Sequence, residues 1–207
     1  APLPVVPADP AEGRSVAPEA INGVINDPFL TGDGATGFSL ELKSATSEYR
    51  NTLGTYKVAA DGTIHDVQVL FDNTLNVAAG ARTVNLGTPA DGEKVAFFLI
   101  QNGFKAYGAL PHDLSFVTPG TGGPADLDSG LTPILYSATR GVLDDAAIFH
   151  SFSTLNPNDA AQVLSGVAPG GHALMIGFED LPNATGDKDF QDVVIAVRPQ
   201  TDDLLAA

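Results

Sequence analysis

Five carboxylates fall within the fourteen residues 179–192 (EDLPNATGDKDFQD): Glu179, Asp180, Asp187, Asp189 and Asp192. Like charges crowded this closely repel one another and oppose closure of a turn. A hard cation relieves that repulsion, because Ca²⁺ takes about six to eight oxygen ligands at roughly 2.3–2.6 Å. Gly186 permits a sharp bend just before Asp187, and backbone carbonyls can fill remaining coordination places. Asp187 and Asp189 are two apart, so they face the same way in extended chain, and Phe190, next after Asp189, can anchor the loop in a core. The spacing is not that of an EF-hand, which needs a third acidic position, a glycine and a distal glutamate. Nor is it a β-roll nonapeptide. Magnesium suits it less well, since Mg²⁺ usually keeps its waters. The plain alternative is a solvated acidic turn on an acidic protein.

Two apolar runs must hold this segment, residues 173–178 (ALMIGF) before it and 193–197 (VVIAV) after it. Paired as antiparallel neighbours, they bring 179–180 and 189–192 to one end of a sheet. Further strand signals are 38–42 (FSLEL), 53–58 and 63–71 around an Ala-Asp-Gly turn, 134–137 and 147–152. Residues 95–100 (VAFFLI) are continuously apolar, as expected of a strand buried on both faces. Helical periodicity is weak, with one or two turns expected at 158–164. Many short strands with glycine-rich turns imply an all-β fold, a β-sandwich or jelly roll carrying a calcium-binding acidic loop near its C-terminal end. Residues 1–18 hold five prolines and read as a linker or arm; 19–200 read as one domain and 201–207 as a tail.

Composition narrows the function. Ten Lys and Arg against 25 Asp and Glu give a net charge of −15, which disfavours nucleic acid and anionic membrane surfaces. Without cysteine there is no disulfide and no thiolate metal site. No apolar run approaches the roughly 18 residues that span a bilayer, so membrane insertion is not expected. The chain begins at Ala1 without a basic, apolar leader, as a mature form or an excised piece would.

The segment GFEDLPNATGDKDFQDVVIAV (177–197) resembles the C-terminal signature of a bacterial family, domain of unknown function 4114. SEYRNTLGTYKV (47–58), VAFFLIQNG (95–103) and IFHSFSTLNPN (148–158) are similar to the same family, so the resemblance spans about 38–198. It implies a calcium-associated β-domain of secreted or surface-attached proteins, often beside repeats-in-toxin segments. By motif match, Glu179, Asp180, Asp187, Asp189 and Asp192 are its expected ion ligands.

Other residues carry weaker signals. Asn51 and Asn102, at strand ends, can complete an ion shell or contact a ligand, although asparagine in turns commonly serves the backbone. His150 can be a site residue or a partner to the acidic cluster; the ordinary reading is a histidine hydrogen-bonded at a strand end. The DLDSG stretch at 126–130 offers a second cation turn, or simply a solvated loop. Four tyrosines would stack on sugars only if aligned on one face. The absence of an HExxH pair and of a GxSxG elbow speaks against zinc and serine hydrolysis. Two carboxylates can cleave glycosides, but a metal-bound carboxylate is a poor general acid. The expected function is therefore a non-enzymatic, Ca²⁺-binding extracellular module of a secreted or surface protein, serving adhesion or recognition of a carbohydrate or cell-surface ligand. The alternatives are a calcium-stabilised spacer and a polysaccharide-active enzyme. Sequence leaves the oligomeric state open.

Overall fold

The central strand of the fold is β6 (Lys94–Ile100), and its continuous apolar run explains why. Val95, Phe97 and Leu99 enter one buried cluster, while Ala96, Phe98 and Ile100 enter another on the opposite face. The expectation of a strand buried on both sides is met. The computed structural model of the chain describes residues 27–167, 173–182 and 189–200. The expected N-terminal arm and C-terminal tail lie outside these residues.

Among the described residues, every strand pairing is antiparallel. One sheet holds β1 (Leu30–Thr31), β6, β3 (Thr52–Val58) and β4 (Ile64–Phe71), with β10 (Ile148–His150) also on β6. A second has the order β11 (Val163–Val167), β12 (Leu174–Phe178), β13 (Val193–Pro199), β2 (Phe38–Ala45), β5 (Thr83–Gly87). The first cluster lies between these two sheets: Leu53, Phe71 and Phe97 from one meet Leu40, Phe178 and Ile195 from the other. A small third sheet, β7 (Leu114–Val117), β8 (Ile134–Ser137) and β9 (Gly141–Leu143), closes the second cluster over Tyr56, Phe98 and Ile100. The fold is all-β, and two sheets enclosing one core are consistent with a β-sandwich. Among the described residues, no helix is long and apolar enough to cross a membrane.

The hairpin read at Ala-Asp-Gly joins β3 to β4, with Ala59 and Thr63 closing the turn and Gly62 at a φ of 88°. Gly54, within β3, has no room for a Cβ, which would collide with the Phe98 ring of β6. The helical turn expected at 158–164 is corrected. In this stretch a 3₁₀ turn is confined to Pro157–Asp159, and β11 begins at Val163. Asn158 and Asp159 sit at φ 58° and 52°, a left-handed pair that no right-handed helix can continue. The α-helix of the described chain is short, Gly103–Tyr107.

Candidate metal centre

The end of β12 and the start of β13 carry the site. Phe178 pairs with Val193, so Glu179 and Asp192 follow one another across the end of the ladder. The Asp180 N–H donates to Asp192 Oδ2 at 2.9 Å and the Leu181 N–H to Glu179 Oε1 at 3.3 Å. The neighbouring strand helps to fix the return path, because Thr46 N–H reaches the Asp192 carbonyl at 3.1 Å and Thr46 Oγ1 the Gln191 carbonyl at 2.9 Å.

Gly177 explains how the loop packs. A Cβ there would collide with the Phe190 carbonyl oxygen, so the Phe190 backbone lies directly on the outer face of β12. Phe190 is buried and holds a left-handed φ of 57°, which costs a non-glycine residue about 1–2 kcal/mol. Phe190 is buried as an anchor would be, but against the outer face of β12 and in neither core cluster, and the glycine that opens the Gly-Phe-Glu-Asp motif has a steric reason.

Glu179, Asp189 and Asp192 each present a carboxylate oxygen, and these atoms lie within 4.8 Å of one another. Glu179 is 1% exposed and Asp189 4%, while Asp192 is half-buried. Desolvation pushes the Asp192 carboxyl up to about 7; the Asp180 N–H opposes this, and the charges of Asp180, Glu179 and Asp189 add to it. Three carboxylates at this separation, two of them buried, form a donor set of the hard, anionic kind that Ca²⁺ takes.

Asp180 has another occupation. Its Oδ2 accepts from Ser47 Oγ and, at 2.6 Å, from Asn51 Nδ2; its carbonyl accepts from Gln101 Nε2 at 2.7 Å. Asn51 is fully buried, and its Oδ1 receives the Asn102 N–H at 2.8 Å. Asn102, at φ 51°, accepts the Arg50 N–H through its own Oδ1. This chain of bonds ties the loop after β2, the start of β3 and the end of β6 to the acidic turn. Asn51 therefore reaches the carboxylates through Asp180, and Asn102 stands one step further away. Ser47 and Gln101 were not singled out from sequence, since a serine or glutamine in a turn carries no signal of its partner 133 or 79 residues away.

His150 is not among the carboxylates. Its ring lies in the second core, 5.7 Å from Tyr56 and 4.9 Å from Phe116 between centroids. Neither ring nitrogen has a partner, and burial drives its pKa down to about 3. The hydrogen bonding expected at this strand end belongs to its backbone: the Asn156 amide accepts the His150 N–H at 2.7 Å and donates to its carbonyl at 2.9 Å. Asp187 lies outside the described residues. In the 126–130 stretch, Asp126 accepts the Asp128 N–H, an ordinary turn contact. Tyr56 is buried in the core, whereas Tyr136 is exposed on β8, so these two do not share a platform.

No curated protein and no solved structure matches the chain. A family model described as a domain of unknown function, DUF4114, matches residues 90–200. The match takes in β6, β10 and the whole acidic turn; the similar segment at 47–58 falls before it. Covering more than half of the 207 residues, it shows that the chain belongs to the DUF4114 family.

Proposed function

We propose that the chain is a Ca²⁺-binding β-sandwich module in which Glu179, Asp189 and Asp192 hold the ion and Asp180 braces it against the facing sheet. The observation that carries the reading is the meeting of these three carboxylates within 4.8 Å at a buried position. The chain passes from one large sheet to the other between β2 and β3, β4 and β5, and β5 and β6, which supports a jelly-roll-like sandwich. Calorimetric titration of Ca²⁺ into chelator-treated protein tests the reading: saturable binding supports it, and no binding heat at any accessible temperature overturns it.

The burial of Glu179 and Asp189 favours an ion that stabilises the module over one that touches a sugar directly. A role in a secreted or surface-attached protein fits such a module. Recognition of an extracellular carbohydrate or cell-surface ligand has one observation of its own. A groove of about 750 Å³, within the usual range for ligand sites, is lined by Leu143, Ile148, Phe149, Gln162 and Pro182 among others, and Pro182 belongs to the acidic turn. A glycan array with and without chelator separates the two roles, since a spacer binds nothing in either condition.

A further inference from the structure

Gln162 stands immediately before β11 and is 3% exposed, yet its Oε1 is buried without a hydrogen-bond partner. A buried acceptor left unmatched is costly, and native proteins seldom tolerate one without an unseen water or ion. Its place in the ladder shows what lies beside it. Val163 pairs with Phe178, and the Glu179 N–H donates to the Gln162 carbonyl at 3.0 Å, extending the antiparallel ladder by one more pair. Residues opposite one another in such a ladder project their side chains from the same face, with Cβ atoms about 4.5–5.5 Å apart. Val163 and Phe178 both enter the core between the large sheets. Gln162 and Glu179, one residue along, therefore project from the opposite face. That is the face of β12 on which the Phe190 carbonyl covers Gly177.

We infer that Gln162 is a fourth protein ligand, giving a neutral amide oxygen to the cation held by Glu179, Asp189 and Asp192; the inference rests on the calcium reading above. An amide oxygen beside a carboxylate is unfavourable when nothing positive lies between them. A hard cation that accepts side-chain amide oxygens as readily as carboxylates removes the conflict. The third strand of the sheet then joins the site, and the ion links β11, β12 and the loop into β13. Gln162 carries no sequence signal for this role, because only its pairing across from Glu179 assigns it.

The test compares wild type, Gln162→Leu and Gln162→Glu by Ca²⁺ calorimetry and by Tb³⁺ luminescence lifetimes in H₂O and D₂O, which count bound waters. Gln162→Leu is expected to weaken Ca²⁺ binding about tenfold or more and to admit about one extra water to Tb³⁺, with Gln162→Glu keeping the wild-type water count. A role as structural donor to Glu179, with the amide turned over, would leave the water count of Gln162→Leu unchanged. An unchanged affinity and water count in Gln162→Leu overturns the inference while leaving the calcium site standing. Absence of Ca²⁺ and Tb³⁺ binding in wild type removes both.

Discussion

His150 makes the protein sensitive to acid through one side chain. Its neutral ring fits among Tyr56, Phe116 and the rest of the second core, and its pKa near 3 lies below the ordinary 6.5. Unfolded chain binds the proton more readily than folded chain, so His150 favours folding fully above about pH 6.5 and loses that contribution as pH falls toward about 3. The slope is about 1.4 kcal/mol per pH unit in that window. Asp192, raised to about 7, has the opposite slope in calcium-free protein, because there the folded state binds the proton more tightly. The readout is therefore the difference between wild type and His150→Phe in urea unfolding. Between pH 6.5 and 5 the variant should lose about 2 kcal/mol less than wild type. Equal losses would mean that the ring is already hydrated or charged in the fold. Asp180 is a second residue with a separable role. Asp180→Ala strands the buried amide of Asn51 and the hydroxyl of Ser47, and should lower stability by about 2–3 kcal/mol with or without calcium. Retention of most of the calcium response in that variant would mark a brace; loss of the response without a change in baseline stability would mark a ligand.

At the scale of elements, Gly177 and Phe190 decide how the residues leading into β13 sit on β12. Gly177→Ala forces the Phe190 carbonyl away from β12, an overpacking that should cost about 1–3 kcal/mol and weaken calcium binding as Asp189 moves with Phe190. Wild-type calcium affinity in Gly177→Ala, measured by titration, would mean that the loop is held elsewhere. Elements with strong local signals were legible in sequence: the β3–β4 hairpin through its Ala-Asp-Gly turn, β6 through its unbroken apolar run, β12 and β13 through the flanks of the acidic segment. Strand β5, with exposed and half-buried residues alternating in TVNLG, offered too little apolar contrast to be seen. Strand β11 was hidden behind a stretch that resembled a helical turn, and its place is fixed by pairing with β12 rather than by local propensity. Gln162 was missed with it. The clustering of Glu179, Asp189 and Asp192 was readable because their charges are close in sequence. The division of labour between them and Asp180 was not, since it depends on Ser47 and Asn51, which are far away along the chain.

For the whole molecule, the central idea is that one divalent ion joins the closing turn of one sheet to the loops of the other. Asp180, Asn51, Asn102 and Gln101 already link the two sheets at this end, and the carboxylates of Glu179, Asp189 and Asp192 meet beside them, where the proposed ion would sit. Calcium should therefore act on global stability and not merely on a local loop. The most direct measurement is the thermal unfolding of chelated protein, followed with and without added Ca²⁺, in wild type and in Asp189→Ala. At Ca²⁺ about 100 times the dissociation constant, wild type should gain about 2.7 kcal/mol and Asp189→Ala should lose most of that gain. Identical unfolding of wild type with calcium and with chelator would contradict the account.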